Sequence, residues 1–582
     1  VAAILTLGLG AAAPAAQAAG AAASPAAPLP AEARLGRVIV TYRDDTATAP
    51  AGRLSAANAP AWQAERSTRL AERLRLDLRA GRAISERQHV VMARGLSDEE
   101  LAARLAGQPE VAYVEPDRRL KIAAVPNDPR YDTVRLVDGG PEAGQWYLKP
   151  PDAMIVSAID AQSAWDVPGV GGTRIVVAVL DTGIRFDHPD LPTRESGGML
   201  QGYDMIVADD SFTGGNTNFG TAADGDGRDA DPSDPGDFLT AAEINANPTA
   251  FTNCAPEARS SWHGTQVAGI IGAVSNNGLG MAGVGRGIAL LPVRVLGKCG
   301  GYTSDIAAAI RWSAGLAVPG VPLNPDPARV INLSLGGAPG QCGVTPGTIA
   351  LRDAVNAAVN EGAVVVAAGG NDPSAPTAPA NCPGAIGVAG VRHTGVKVGY
   401  SAFGAAISIA APAGNCVNTI GNCVYPILST TNAGATTPVA RSEAYTTGGS
   451  DYAVGTSFAS PLVAGVAALM LSVNPTLNPA DVRALLRTSA RAFPTTLGAT
   501  NPDTTPTCPS LEPSNSECFC TIATCGAGLL DARAAVQAAA AAPPSVTPPP
   551  SGGGGGGALG AGWWFALAAA AGALRRTRRH AS

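Results

Sequence analysis

The pattern of apolar and polar positions separates the chain into segments of different character. Residues 37–42, Arg-Val-Ile-Val-Thr-Tyr, are rich in β-branched positions and read as a strand. Ser97 stands three residues before Glu100, ahead of a stretch that runs to Leu105, which is the capping-box spacing of a helix start. Residues 111–116 read as a second strand, and together these predict a small α/β unit. Further on, residues 175–180 and 364–368 are apolar without alternation, and residues 353–361 read as helical. Strands apolar on both faces suit a parallel sheet covered on both sides, and their alternation with Ala-rich helical stretches implies repeated βαβ units. The expectation is an α/β three-layer sandwich with a mainly parallel central sheet over residues 124–538, preceded by a small α/β domain over residues 36–123. No repeat with a period of roughly 20–50 residues is present.

The two ends read as transport segments. Residues 1–19 look like a secretory signal: residues 2–9 are apolar, and Ala16-Gln17-Ala18 fits the small-x-small cleavage rule, although the usual basic start is absent. Residues 20–35 form a linker. Residues 539–557 are a Pro/Gly-rich linker that ends in six glycines at 552–557. Residues 558–574 are 17 uncharged residues, at the short end for a membrane span, followed by Arg575, Arg576, Arg578 and Arg579. Segment 558–582 resembles the glycine-rich C-terminal sorting signals of Gram-negative bacteria. That resemblance implies export machinery and a rhomboid-type sorting protease as partners. It also implies a secreted or cell-surface location, with a membrane anchor on a flexible stalk as the alternative.

Composition narrows the classes. The net charge is −6 and no basic stripe lies outside the extreme C-terminus, which argues against nucleic acid as a partner. All ten cysteines lie between Cys254 and Cys525, with no CxxC pair and no clustering with histidines, so zinc is not indicated. An even count in an exported chain reads as disulfides.

Nucleophilic hydrolysis needs a weak nucleophile, a base that activates it and a group that orients the base. Five histidines are available. His89 lies in the small N-terminal unit and His580 in the tail. His188, in Asp187-His188-Pro189-Asp190, and His393, beside Thr394-Gly395, read as surface-loop residues. His263 opens a small-residue helix and is the base candidate. Asp181 ends the apolar run at Leu180, at the C-terminal edge of a buried strand where α/β proteins bind ligands. Ser457, in Gly455-Thr456-Ser457-Phe458-Ala459-Ser460-Pro461, lies at a helix N-terminus, whose dipole favours developing negative charge.

The blocks Asp181-Thr182-Gly183, His263-Gly264-Thr265 and Gly455 to Pro461 resemble the three signature blocks of subtilisin-like serine proteases, in that family's chain order. The resemblance covers roughly residues 36–538. It implies a secreted serine endopeptidase acting on protein or peptide substrates through an acyl-enzyme, with Asp181, His263 and Ser457 as the triad. It also implies an autoprocessed precursor whose residues 36–123 are its own inhibitory propeptide, cleaved between about 121 and 125, and a monomeric chain. Asn371 matches the family's oxyanion-hole amide. The stretch Ala367-Ala368-Gly369-Gly370-Asn371 carries one more glycine than usual, and Gln266 replaces the family's second histidine. Ser334, Leu335 and Gly336 match the strand that pairs with substrate, and Ala368 and Gly369 a wall of the S1 pocket. A structural calcium is implied at Asp190 and Asn277, with carbonyls of Ser275, Leu279 and Met281, and Gln145 as a further ligand. A second cation candidate is the acidic stretch 224–231, which has no EF-hand register. The family fold implies the disulfides Cys254–Cys299, Cys342–Cys382 and Cys416–Cys423, and leaves the pairing among Cys508, Cys518, Cys520 and Cys525 open. An esterase is disfavoured because Ser457 has no Gly-x-Ser-x-Gly elbow, and a zinc protease because His-Glu-x-x-His is missing.

Overall fold

The computed structural model describes residues 35–43, 59–117, 125–132, 143–207, 219–414, 425–446, 453–496, 505–509 and 516–544. The proposed signal and sorting segments, Cys416 and Cys423, and the cleavage segment around residue 121 lie outside the described residues. The chain divides into two compact units between Ile122 and Ala123.

In the first unit the capping box forms as read: Ser97 Oγ accepts the Glu100 N–H, and Glu100 accepts the Ser97 N–H. The unit comprises β1 (Leu35–Tyr42), α1 (Ala59–Leu74), β2 (Leu78–Ala83), β3 (Gln88–Arg94), α2 (Asp98–Ala106) and β4 (Val111–Pro116). The strands form an antiparallel sheet in the order β2-β3-β1-β4. Alternate residues of β1 (Val38, Val40 and Tyr42) point into a core with Trp62, Leu70, Leu101 and Leu105. The sequence reading had identified only α2 and the two strands β1 and β4. β2 and β3 carry weaker apolar signals, and the sheet itself decides them.

The second unit is built on seven strands: β5 (Ile175–Asp181), β6 (Tyr203–Asp204), β7 (Ile288–Arg294), β8 (Val330–Leu333), β9 (Val364–Ala368), β10 (Ile386–Val391) and β11 (Ile407–Pro412). Their order is β11-β10-β9-β8-β5-β7-β6, and every pairing is parallel. A separate two-stranded antiparallel ribbon pairs β12 (Thr430–Thr431) with β13 (Ala444–Tyr445). The helices are α3 (Ala161–Ala164), α4 (Ala241–Ala246), α5 (His263–Gly272), α6 (Thr303–Ser313), α7 (Ile349–Asn360), α8 (Thr456–Val473), α9 (Pro479–Thr488) and α10 (Ala532–Ala541). Successive strand residues feed opposite cores. Val177, Val179, Val364 and Val366 pack with α5, α8 and α10, whereas Ala178, Leu180, Val365 and Ala367 pack with α6 and α7. This is the three-layer α/β sandwich expected from strands apolar on both faces. Helix α8 is apolar and long enough to cross a membrane, but 89% of it is buried inside this core.

Cys254–Cys299 and Cys342–Cys382 pair as the resemblance implied, and the open set resolves into Cys508–Cys518 and Cys520–Cys525.

His89 lies fully buried in the first unit, its Nε2 2.8 Å from Ser67 Oγ and its ring stacked on Tyr42. Burial pulls its pKa down to about 4. The unfolded chain therefore binds a proton between about pH 6.5 and 4 that the folded unit excludes. The unit should lose about 3 kcal/mol of stability as pH falls through that window, and no more from this group below it. Protection of the β1 and β3 amides against hydrogen exchange reads this directly, and His89→Leu should flatten the dependence.

Candidate active site

The strand order places the C-terminal ends of β5 and β8 beside each other, and two helices begin there. Asp181 is the last residue of β5 and is buried. His263 is the first residue of α5, preceded by Trp262 in a left-handed conformation that turns the chain into the helix. Asp181 Oδ1 accepts hydrogen bonds from His263 Nδ1 at 2.7 Å and from the Thr182 N–H at 2.8 Å. Thr182 Oγ1 accepts the Gly264 N–H at 3.0 Å and donates to Asp234 Oδ2 at 2.7 Å, which ties the strand end to the helix start a second time. Gly264 is required there: a Cβ would lie 2.0 Å from the Gly183 carbonyl oxygen.

Ser457 lies in the first turn of α8, one residue after its start. Its Oγ donates to the Ser334 carbonyl at 3.1 Å, and Ser334 Oγ donates back to the Ser457 carbonyl at 2.7 Å. Ser460 Oγ bonds Asn332 Oδ1 at 2.6 Å, so β8 and α8 are joined at several points. No Ser457–His263 hydrogen bond is made among the described residues, although both side chains line one groove. Asn371 Oδ1 accepts the Thr456 N–H at 2.9 Å and the Thr456 hydroxyl at 3.0 Å, which leaves the amide nitrogen as the free end of that side chain. Gly455, with φ +146°, makes room: a Cβ would lie 3.1 Å from Asn371 Nδ2.

The groove has a volume of about 1410 Å³, and Ser334, Leu335, Gly336, Ala368, Gly369 and Asn371 line it with His263 and Ser457. The sequence-predicted site residues of the triad, oxyanion position and substrate walls are therefore brought together. Burial lowers the pKa of His263, but the charge and hydrogen bond of Asp181, with the charges of Asp237 and Asp234, outweigh it and raise the pKa overall. Gln266 Nε2 donates to the Ser261 carbonyl at 2.9 Å, bracing the segment that leads into His263.

The calcium candidates divide. Asp190 is fully buried, with Oδ1 accepting Asn277 Nδ2 at 2.9 Å and Oδ2 accepting the Met281 N–H at 2.8 Å. Burial, with the charge of Asp128 adding to it, pushes its pKa up to about 6. Asp128, absent from the sequence reading, is buried and accepts the Asn276 N–H at 3.0 Å through Oδ2, while its Oδ1 has no partner. Two buried carboxylates, one with an orphaned oxygen, facing an Asn-rich loop fit a hard cation. Leu279 and Met281 lie in that loop, as does Ser275, whose buried hydroxyl is also unpartnered. Gln145 is a correction. Its Oε1 already accepts the Ala282 N–H at 2.7 Å and its Nε2 donates to the Ala282 carbonyl at 2.7 Å, so its amide clasps backbone instead of facing a cation. In the acidic stretch 224–231, Arg294, itself buried, pairs with Asp224 as well as with Asp204, and Arg228 pairs with Asp305, so arginine supplies counter-charge to Asp224. His188 was read as a surface residue, yet it is buried against Ala444 and Tyr445. His393 is likewise packed on Tyr425.

Comparison with known proteins agrees with this geometry. The chain is 41% identical over 445 residues to an extracellular protease of Xanthomonas campestris pv. campestris, covering 76% of this chain and 61% of the relative. It is 37% identical over 394 residues to an extracellular basic protease of Dichelobacter nodosus, covering 66% of this chain and 56% of the relative. The chain thus spans about three fifths of the length of these curated relatives. Thermitase of Thermoactinomyces vulgaris is 31% identical over 334 residues, covering 57% of this chain and 86% of thermitase. A solved protease structure from Pseudoalteromonas arctica superposes with a TM-score of 0.54 at 39% identity, covering 72% of this chain and 100% of that one. The subtilase family model of peptidase S8 matches residues 172–509, and the chain belongs to the subtilase family.

Proposed function

We propose that the chain is a secreted serine endopeptidase that cleaves proteins through a covalent acyl-enzyme and is made as an autoprocessed precursor. The observation that carries this reading is the 2.7 Å Asp181–His263 hydrogen bond, set in the groove that also holds Ser457 and Asn371. Ser457 Oγ attacks the scissile carbonyl carbon as His263 Nε2 takes its proton. The same nitrogen then protonates the leaving amine, and a water, deprotonated in turn by His263, releases the acyl group. Asp181 keeps the proton on Nδ1 and stabilises the imidazolium. To meet the base, Ser457 Oγ must turn away from the Ser334 carbonyl, a tightening of contacts often found when substrate enters. The free amide of Asn371 and the N-terminus of α8 face the developing oxyanion.

Residues 36–123 act in this reading as the inhibitory propeptide, and residues 1–19 and 558–582 direct export and sorting. The extracellular relatives support secretion. Asp128, Asp190 and Asn277 would hold a calcium ion, which would serve structure by neutralising buried carboxylates and would take no part in bond making.

Ser457→Ala is expected to abolish casein hydrolysis and to leave the precursor at full length by mass spectrometry. Residual turnover by that variant would overturn the mechanism. Asn371→Leu should lower kcat by about 10²–10³ with KM little changed. Because the free base form of His263 is needed and its pKa is raised, the acid limb of kcat/KM against pH should fall above about 6.5. Excess chelator should lower the melting temperature of the wild type, and Asp128→Asn should shrink that shift.

A further inference from the structure

Asp237 lies on the groove wall with His263, and the hydrolytic steps make no use of it. Its two oxygens accept the Ser261 N–H and hydroxyl, each at 2.6 Å, and Ser261 Oγ accepts the His263 N–H at 3.3 Å. The carboxylate is therefore held at a set position beside the base, and each oxygen keeps acceptor capacity. Several other acidic residues of this unit pair with cations: Glu243 with Lys298, Asp305 with Arg228, and Asp204 and Asp224 with Arg294. Among the described residues Asp237 has no such ion pair, although it is only half-buried and open to the groove. Its charge contributes to the raised pKa of His263, which places it within electrostatic reach of the ring.

A substrate extended along Ser334, Leu335 and Gly336 alternates its side chains. The residue before the scissile bond turns to the wall of Ala368 and Gly369, and the next one back turns the other way. We propose that Asp237 selects a lysine or arginine at that next position, P2, the second residue on the acyl side of the scissile bond. This rests on the endopeptidase reading. The substrate cation supplies the partner that the chain withholds from Asp237.

The test is a set of matched fluorogenic peptides that differ only in Lys, Leu or Glu at P2, with a parallel set varied at P1′. Rates are normalised by titration with a serine-directed sulfonyl fluoride, so that only folded, competent enzyme is counted. The wild type should prefer Lys over Leu at P2 and discriminate against Glu. Asp237→Asn should reduce the Lys-to-Leu ratio of kcat/KM roughly two- to fivefold, mainly through KM, while Asp237→Glu retains the preference. Raising salt to about 0.5 M should narrow the wild-type ratio without any substitution, which keeps the test valid if a variant fails to fold. A wild-type ratio near one, a ratio unchanged in Asp237→Asn, or an effect confined to P1′ would overturn the assignment. Failure of the wild type to cleave any peptide would overturn the endopeptidase reading and this inference with it.

Discussion

The hydrogen bond between Asp181 and His263 joins the end of a central strand to the start of a helix 82 residues further along the chain. Both groups need the rest of the unit to hold them. Asp181 is buried at the C-terminal edge of the sheet, where an unpaired carboxylate is costly; the imidazole and the Thr182 N–H both donate to Oδ1, and Oδ2 has no hydrogen-bond partner. The close approach of Gly264 to the Gly183 backbone, and the bridge from Gly264 through Thr182 to Asp234, fix the distance between the two elements. Arg294 anchors the same corner, its Nε donating to the Thr182 carbonyl, its Nη2 to the Ala222 carbonyl, and its Nη1 pairing with both Asp204 and Asp224. The ion cluster is thus a brace for the acid–imidazole pair as well as a solution to its own buried charge.

Ser457, the proposed nucleophile, depends on a different seam. Helix α8 is buried along nearly its whole length, which leaves its position little freedom, and the Ser334–Ser457 and Asn332–Ser460 bonds lock its first turns to β8. The same turn orients Asn371, because Thr456 engages its amide oxygen and leaves the nitrogen as the free end in the groove. Gly455 is part of that arrangement for a steric reason. Gly370, next to Asn371, is held in the same seam, its N–H donating to Thr456 Oγ1 at 3.1 Å.

Charge in the second unit is managed by two devices. Where arginine is at hand, as beside residues 224–231, buried carboxylates pair with guanidinium. At Asp128 and Asp190 no ion pair forms among the described residues: Asp190 accepts from Asn277, Tyr445 and the Met281 N–H, and Asp128 Oδ1 stays without a donor. Asp237 belongs to neither class, since it is fixed by hydroxyl and backbone donors only and opens onto the groove.

Local signals were sufficient for much of this. The uniform apolar runs at β5 and β9 follow from burial on both faces, the Ser97–Glu100 cap from hydrogen bonding within four residues, and the three candidate catalytic blocks from their resemblance to a family's signature blocks in its chain order. Gly264 and Gly455 were visible in those blocks, although only packing explains why each must be glycine. Contacts between distant segments were not legible in the same way. The burial of His188, the engagement of Gln145 by Ala282, the pairing of Asp224 with Arg294 and the orphaned oxygen of Asp128 all depend on which surfaces the fold brings together. A residue's type sets what bonds it can form, and its neighbours in the chain set the local backbone. Which partner it meets in the interior is decided by tertiary packing, where an unpaired charge or polar atom costs most and the available partners come from far along the chain.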